Sequence, residues 1–337
     1  MSNQDKVSVN DIRPQDLIEG QKVAIQKDID FLIAHKDEFV DVTCPGCDKH
    51  NCTPRFEKKG FKYVTCNECR TFYTNPRPTA ELLENFYASS VNYAYWNEVI
   101  FPASEAKRRE KIFAPRVDLV IELCKTYAPQ ASSLLEVGAG FGTFCEEMIS
   151  RKVFSKIVAI EPGADLASTC RSRGIEVIEL PIEQVEFKEE ERFDVIVNFE
   201  VIEHLFSPKD FIASCRKIVK VGGLLIITCP NGEGFDVLTM GTVSDTVDHE
   251  HLNYLNPESL GDLMKKSGFE VVSALTPGKL DAELVRNKVI DGSFSLEDNP
   301  FLKRVLVYDW ERLGQPFQQF LQDNLLSSNM LLIARAV

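Results

Sequence analysis

The stretch Leu134-Leu-Glu-Val-Gly-Ala-Gly-Phe-Gly-Thr-Phe144 decides the fold of this chain. A short apolar run leads into three alternating glycines, and a helical pattern follows them. Glycines are needed where a ligand closely approaches the backbone as a strand turns into a helix, at the carboxyl edge of a parallel sheet. A dinucleotide fingerprint would place its third glycine at position 143, which is Thr143. The spacing therefore indicates a ligand loop that fits a pyrophosphate poorly.

Two acidic residues accompany this loop. Glu136, beside the turn, would repel a diphosphate, but it suits a ligand that carries an amino group and a positive sulfur. Glu161 ends the next apolar run, where an acid usually accepts hydrogen bonds from ribose hydroxyls. A tight turn without any ligand is the alternative interpretation of the glycines alone.

The rest of residues 133–278 alternates between β-rich and helical segments, which predicts a parallel sheet with helices on both faces. About 50 residues of mainly helical character separate the last two runs, too many for a bare loop, so they are expected to form an insertion. The seven predicted strands lie at 134–137, 157–160, 176–178, 193–197, 224–227, 268–274 and 329–335.

Composition limits the class of protein. The chain has 337 residues, of which 44% are hydrophobic and 26% charged, as in globular proteins. A net charge of −13 disfavours a general nucleic-acid binder, because polyanions are repelled. No apolar run approaches the ~20 residues needed to span a membrane. The polar start, with ten cysteines in the chain, predicts reduced thiols or metal ligands in a cytoplasmic protein.

Two C-x-x-C pairs separated by 18 residues predict a structural zinc site formed by Cys44, Cys47, Cys66 and Cys69. A module of this size is too small to fold without such a crosslink. His50 and Cys52 are weaker candidates as ligands, and a redox function is disfavoured because the pair is duplicated. The module is locally basic, which fits RNA, a diphosphate group on a small molecule, or a merely solvated face. The basic residues that give it this character include Arg55, Lys58, Lys59, Lys62, Arg70 and Arg77.

Two histidine motifs follow predicted strands. Glu200-Val-Ile-Glu203-His204 comes after the fourth strand, and Asp248-His249-Glu250-His251 comes after the fifth. Carboxyl ends of parallel strands meet at one edge of a sheet, so these side chains are expected beside the glycine loop. A histidine that titrates near neutrality is suited to removing a proton from a substrate.

Together, the glycine loop, the Ala-Ile-Glu-Pro segment ending at Pro162, the segment 193–205 and the segment 222–231 resemble the successive motifs of class I S-adenosylmethionine-dependent methyltransferases. The resemblance covers residues 133–278, and residues 329–335 match the closing strand of that fold. It implies an α/β, Rossmann-like, seven-stranded and mostly parallel sheet with an antiparallel last strand. A small zinc-ribbon module and helices precede this sheet.

The resemblance also implies a set of cofactor contacts. The glycine loop would line the methionine part of the cofactor, and the end of the next strand would bind its ribose. Residues 182–183 would flank the adenine, and residues 199–200 would form the floor under the sulfonium. The segment that follows the zinc module is similar to that of zinc-bearing methyltransferases from polysaccharide and natural-product pathways. Its aromatic residues would reach the cofactor carboxylate. The alternative is that they only pack the two modules together. The implied residues are Glu136, Gly138, Ala139, Gly140, Gly142, Glu161, Pro162, Ile182, Glu183, Phe199, Glu200, Tyr93 and Tyr95.

The second histidine motif resembles a His-Glu-His-x-x-Tyr segment of the methyltransferases that act on sugar carbons. By this resemblance His251 would be the general base and Glu250 its partner, with His204 as a further candidate base. The first motif, together with a later histidine, also resembles the metal-ligand set of small-RNA 2′-O-methyltransferases. The alternative is that Glu203 and His204 bind no metal and only cap and pack the turn after the fourth strand.

These observations predict a methyltransferase that acts on a small polar metabolite, such as a nucleotide-linked sugar or glycan precursor. The alternatives are an RNA methyltransferase guided by the zinc module, and a non-catalytic zinc-ribbon subunit. Only ten residues follow residue 327, where sugar C-methyltransferases usually continue into a second domain, so a carbon, oxygen or nitrogen acceptor stays open, as does the oligomeric state. The predicted segments are 1–39 (helical), 40–78 (zinc module), 79–128 (helical cap), 129–278 (cofactor domain), 279–327 (helical insertion) and 328–337 (closing strand). Within the helical cap, Thr79 and Ser104 are each expected to cap a helix, and Pro115 is expected to kink or split the second one.

Overall fold

The computed structural model describes residues 17–337, so the first 16 residues of the predicted helical segment 1–39 lie outside it. The described chain divides into two compact units. The first unit contains residues 17–40 and Pro78–Ile196, and the second contains Asp41–Arg77 and Val197–Val337. The residues of the predicted zinc module therefore group with the C-terminal part of the chain rather than forming a unit of their own.

Eleven strands are present in the described chain. In chain order they are β1 (Cys52–Lys58), β2 (Phe61–Cys66), β3 (Phe72–Thr74), β4 (Ser133–Val137), β5 (Lys156–Ile160), β6 (Glu176–Ile178), β7 (Phe193–Phe199), β8 (Val219–Pro230), β9 (Asn253–Tyr254), β10 (Phe269–Leu275) and β11 (Asn329–Ala336).

Seven of these strands form the main sheet, in the order β10-β11-β8-β7-β4-β5-β6. β4, β5 and β6 are parallel, with Leu135 opposite Val158. β11 runs antiparallel to both β8 and β10. The predicted fold class, with seven strands and an antiparallel last strand, is confirmed. Because both faces of such a sheet are covered, its central strands read as continuous apolar runs, and all five residues of β4 are buried.

The α-helices of the described chain are numbered in chain order. They are α1 (Ile18–Ala34), α2 (Ala80–Ser89), α3 (Val91–Tyr95), α4 (Phe101–Arg108), α5 (Ala114–Tyr127), α6 (Thr143–Arg151), α7 (Ala164–Ser172), α8 (Pro208–Ile218), α9 (Phe235–Met240), α10 (Pro257–Lys266), α11 (Asp281–Ile290), α12 (Pro300–Lys303) and α13 (Trp310–Asp323). Within residues 17–337, no helix combines the length and apolar character required to cross a membrane.

Local signals located several helix ends correctly. The Thr79 side chain accepts a hydrogen bond from Leu82 N and caps α2, as predicted. The predicted break near Pro115 appears as a π-helical turn at Arg109–Phe113, immediately before α5. The expectation that Ser104 caps a helix is wrong, because Ser104 lies inside α4 and its hydroxyl donates to Ile100 O. The helix can continue through Ser104 because its hydroxyl finds a hydrogen-bond acceptor in the preceding turn of the same helix.

A second, smaller sheet belongs to the second unit. It is antiparallel, in the order β1-β2-β3-β9. β9 follows the second histidine motif and is far in sequence from the other three strands. This pairing depends on long-range contacts, so no local pattern predicted it. The insertion at 279–327 consists of helices α11, α12 and α13, which surround a small core that includes Val285 and Leu306.

Candidate active site and metal centre

The glycine loop after β4 has open space at one position. Gly138, Gly140 and Gly142 all have positive φ angles, of 78°, 55° and 72°. A Cβ atom added to Gly140 would meet nothing within 4 Å, whereas one added to Gly142 would lie 2.6 Å from Ile175 Cδ1. Gly140 therefore borders space that a ligand can fill, and Gly142 is needed for packing and as the N-cap of α6.

Glu161 ties the end of β5 to this loop. Its Oε2 accepts a hydrogen bond from Gly140 N at 2.7 Å, and its Oε1 accepts one from Gly163 N at 2.9 Å. Burial raises the pKa of Glu161, while the two backbone donors partly oppose that shift. Each carboxylate oxygen retains a second lone pair, so the side chain can also accept hydrogen bonds from the hydroxyls of a ribose.

Glu136 is buried in β4, and its environment favours the protonated form. Burial is the main cause that raises its pKa to about 8, and the charge of Glu161 acts in the same direction. The Cys145 thiol donates to Glu136 Oε2 at 3.0 Å. Sequence reasoning missed Cys145, because only the return of α6 across β4 brings it to Glu136. A cationic group of a bound ligand would favour the ionised form of Glu136.

The other cofactor residues predicted in the first unit occupy varied positions. Ala139 N donates to Ile160 O at 3.2 Å. The Tyr95 hydroxyl donates to Leu17 O at 3.1 Å, so it already has a protein partner. The ring of Tyr93 packs edge-on against that of Tyr87. The remaining predicted residues are the exposed Pro162, the buried Ile182 and the exposed Glu183.

Phe199 is the last residue of β7 and Glu200 follows it, both in the second unit. Phe199 is buried, and Glu200 adopts a left-handed backbone conformation with φ 55°, which is costly for a residue with a side chain. Glu200 Oε1 accepts hydrogen bonds from Thr228 Oγ1 at 2.6 Å and from Asn329 Nδ2 at 2.9 Å. β8 and β11 thus hold the Glu200 carboxylate, a role for Thr228 and Asn329 that no local motif indicated.

The second histidine motif holds His251 in a defined tautomer. His251 Nδ1 lies 2.9 Å from Thr246 O, and a carbonyl only accepts, so Nδ1 carries the hydrogen. Nε2 of the neutral ring then has the free lone pair. Asp248 Oδ1 accepts hydrogen bonds from the backbone N–H groups of both Glu250 and His251. The arrangement suits an acceptor of protons at Nε2.

The first histidine motif contributes a neighbouring ring. His204 Nδ1 lies 3.2 Å from Glu250 O, and the rings of His204 and His251 are 4.8 Å apart between centroids. Burial is the main cause that lowers the pKa of His204 to about 3, which keeps it neutral. The Glu203 carboxylate is buried, and ligand atoms of Glu203, His204 and His251 lie within 4.8 Å of one another. This group has the composition of a metal-binding site.

The Glu250 carboxylate has a neighbour that the resemblance did not indicate. Its Oε1 lies 3.6 Å from Nε2 of the buried His249. The hydrogen bonds that orient His251 are accepted by Thr246 O and by the Asp248 carboxylate. Loss of water around Asp248 would raise the pKa of its carboxyl, but the three neighbouring histidines lower it below the ordinary value.

The four predicted zinc ligands are brought together by the structure. Their sulfur atoms lie within 4.8 Å of one another, with 3.5 Å between Cys44 and Cys69 and 3.5 Å between Cys47 and Cys66. Zn–S bonds of about 2.3 Å place tetrahedral sulfurs about 3.8 Å apart, so the donor set fits Zn²⁺. A hydrogen bond from Cys44 is the main cause that lowers the pKa of Cys69 to about 5, which provides a thiolate. Neither of the rival ligands, His50 and Cys52, belongs to this group.

Most of the basic residues in the zinc module have intramolecular partners. The Arg55 guanidinium lies over the Phe72 ring at 4.8 Å, and Arg70 pairs with Glu233 and Glu258. The other two residues with such partners are Lys58 and Arg77, which donate to backbone carbonyls. The basic surface of the module is therefore largely reduced to Lys49, Lys59 and Lys62.

Comparison with known proteins identifies the family. A family model described as a methyltransferase domain matches residues 105–274. A ubiquinone biosynthesis O-methyltransferase of Roseobacter denitrificans is 29% identical over 159 residues, which are 41% of this chain and 60% of that relative. A ubiquinone biosynthesis O-methyltransferase of Cereibacter sphaeroides is 30% identical over the same length and shares. The chain thus spans about 60% of these relatives.

Among solved structures, the amino pentose methyltransferase CalS10 from Micromonospora echinaspora is 20% identical, with a TM-score of 0.34 over 37% of this chain and 54% of that chain. The match of the family model extends over half of the sequence and includes the glycine loop, Glu161 and the histidine motifs. The chain therefore belongs to the methyltransferase domain family.

Proposed function

We propose that this protein transfers a methyl group to a small polar metabolite, most suitably a nucleotide-linked sugar or glycan precursor, with His251 as the general base. The observation that carries the proposal is the tautomer of His251, whose Nδ1–H is held by Thr246 O while Nε2 keeps its lone pair. A hydroxyl, an amine or a carbon acid each needs to lose a proton on methylation, and Nε2 is available to accept it. His204, neutral at 4.8 Å, is the alternative base.

For the cofactor, we propose that residues of the glycine loop and β5 hold S-adenosylmethionine, which supplies the methyl group when bound. Open space at Gly140 supports this assignment, as does the buried acid Glu136, whose carboxylate suits the ammonium group. Glu161 would accept hydrogen bonds from the ribose. The protein mainly aligns the donor with the acceptor, since methyl transfer requires a short, collinear approach. The remaining residues proposed to line the cofactor are Gly138, Ala139, Pro162, Ile182, Glu183, Tyr93, Phe199 and Glu200.

A small acceptor is favoured over RNA by charge. The whole chain carries −13, and four of the seven lysines and arginines in the zinc module are engaged within the protein. RNA binding needs several unpaired cations, and its affinity falls steeply with salt. Bulk RNA should therefore not bind measurably at either low or high salt. The ten unpaired cysteines are consistent with a reducing compartment, and we propose the cytoplasm.

The decisive experiment incubates the full chain with S-adenosylmethionine and a panel of nucleotide sugars, and detects methylated product by mass spectrometry. His251→Ala should lower turnover by ~10²–10⁴-fold and leave cofactor affinity unchanged. His35→Ala is the matched control, because His35 Nδ1 also lies on a carbonyl, that of Phe31, at 2.8 Å. Unchanged turnover in His251→Ala would remove this residue from its role. Absence of cofactor binding in the wild type would favour a non-catalytic subunit.

A second candidate mechanism uses a divalent metal at Glu203, His204 and His251. Both histidines direct Nδ1 to a backbone carbonyl, the arrangement that usually orients metal-ligating imidazoles. A metal there would activate a hydroxyl acceptor as a Lewis acid. Elemental analysis distinguishes the two candidates, since a metal mechanism requires a second ion per chain that Glu203→Gln removes while zinc at the cysteines stays.

A further inference from the structure

The loop that carries His251 is built onto the sheet of the zinc module. β9 begins two residues after His251 and pairs with β3, with Tyr254 opposite Phe72 and Asn253 opposite Tyr73. Thr74 N also donates to Leu252 O at 3.0 Å. The chain leaving the histidine motif therefore becomes an edge strand of the small sheet, and its backbone path is set by β3.

Two side chains of the same sheet hold the chain that enters the motif. Lys58, at the end of β1, donates from Nζ to Ser244 O at 2.8 Å and to Val247 O at 2.5 Å. Tyr63, in β2, donates from its hydroxyl to Asp248 O at 2.7 Å. Lys58, a charged donor, thus binds two carbonyls of the segment before His251, and the buried phenol of Tyr63 binds a third, so both side chains restrain this segment.

The held loop in turn holds the imidazole. Thr246, between the two carbonyls bound by Lys58, accepts the hydrogen of His251 Nδ1. Asp248, whose carbonyl is bound by Tyr63, accepts the His251 backbone N–H at 3.0 Å through its carboxylate. Both hydrogen bonds that orient His251 are therefore accepted by residues of the segment that the zinc module restrains.

The four cysteines are located where they can maintain this sheet. Cys66 ends β2, and Cys69 lies in the turn that leads to β3. Asn256, directly after the loop, donates from Nδ2 to Cys69 O at 2.9 Å and also caps α10. Zinc at the cysteines would fix the connection between β2 and β3. The position of Tyr63 in β2 and the pairing of β9 with β3 both depend on this connection.

We propose that the zinc module is the scaffold of the proposed base, with Lys58 and Tyr63 as positioning residues that fix the imidazole of His251. The inference rests on the proposed function in one respect, that His251 accepts the proton. It gives the module a task inside the enzyme and does not require an external partner such as RNA. Restraint of a reacting group matters because misplacement by about 1 Å can cost ~10²-fold in rate.

The test uses the full chain with Lys58→Met and Tyr63→Phe, which leave all four cysteines in place. Peptide-level hydrogen exchange over residues 244–251 should become faster in both variants, because the carbonyls of the loop lose their donors. Turnover should fall by about 10–100-fold with cofactor affinity and zinc content unchanged. Lys58→Arg should recover most of the loss, since it restores a charged donor. Lys266→Met, an exposed lysine of α10, is the matched control and should behave as wild type.

Two results separate this inference from the proposed function. If Lys58→Met exchanges like wild type in residues 244–251 and keeps turnover within about twofold, while His251→Ala is inactive, the scaffold role is overturned and the base remains. If exchange accelerates but His251→Ala retains turnover, the scaffold holds the loop and His251 is not the base. Faster exchange with reduced turnover in both Lys58→Met and Tyr63→Phe supports the proposal.

Discussion

Glu161 Oε2 accepts a hydrogen bond from the backbone N–H of Gly140 at 2.7 Å. This contact joins the acid at the end of β5 to a glycine of the loop that borders open space. An acid expected to bind a ribose therefore also shapes the loop expected to receive the rest of the cofactor. The two features that first suggested a nucleoside-binding site are parts of one local structure.

Gly140→Ala should abolish measurable binding of S-adenosylmethionine, because the added methyl group would enter the space left for the ligand. Gly174→Ala is the matched control, since Gly174 also has a positive φ and open space around its Cβ position. Both substitutions carry the same backbone cost, so the fold should survive equally in circular dichroism. Titration calorimetry makes the comparison, and equal cofactor affinity in the two variants would contradict the assignment.

Glu136→Gln should have opposite effects on stability and on binding. The carboxyl has an ordinary pKa of 4.5 and a folded value of about 8, so between these values the folded protein keeps a proton that the unfolded chain has lost. The free energy of unfolding therefore falls as pH rises from about 4.5 to about 8, and Gln removes this fall. Denaturant unfolding of the cofactor-free wild type and variant at several pH values measures this fall in the free energy of unfolding.

Binding of S-adenosylmethionine to the wild type should tighten as pH rises towards about 8, because its ammonium group favours the ionised carboxylate of Glu136. Glu136→Gln should weaken binding by about tenfold or more and flatten this pH dependence. An affinity that is independent of pH in the wild type would exclude Glu136 as the ammonium contact.

The zinc assignment predicts about one zinc per chain in elemental analysis. Cys69→Ser should lose the metal and lower the thermal unfolding midpoint, because zinc binding contributes directly to folding. Cys52→Ser is the control, since Cys52 lies in β1 outside the four-sulfur group. Retention of zinc in Cys69→Ser, or its loss in Cys52→Ser, would show that the ligands were wrongly chosen.

Glu200 provides a test of backbone strain at the end of β7. Glu200→Gly and Glu200→Ala both remove the carboxylate that Thr228 and Asn329 hold, so they differ only in the cost of the left-handed conformation. The Gly variant should be more stable than the Ala variant by about 1 kcal/mol in denaturant unfolding. Equal stability would mean that the backbone relaxes at this position. Both variants should lose methyl transfer if Glu200 contacts the cofactor.

The sequence by itself determined the class of fold, the glycine loop after β4 and the four-cysteine group. These features are local: a buried strand is a continuous apolar run, a ligand loop needs glycines in fixed spacing, and a C-x-x-C turn brings two thiols together within a few residues. Each physical requirement is met by neighbours in the chain, so reading the chain was sufficient to find it.

Only the tertiary structure decided what surrounds these residues. The pairing of β9 with β3 and the contacts of Lys58 and Tyr63 with the histidine loop join residues far apart in sequence. Over a shorter separation, the packing of α6 on β4 brings Cys145 to Glu136. Glu250 was assigned to His251 by resemblance, and only the structure shows that its carboxylate also lies beside His249. Hydrogen bonds and side-chain directions depend on how distant strands pack, and a sequence pattern carries no record of that packing.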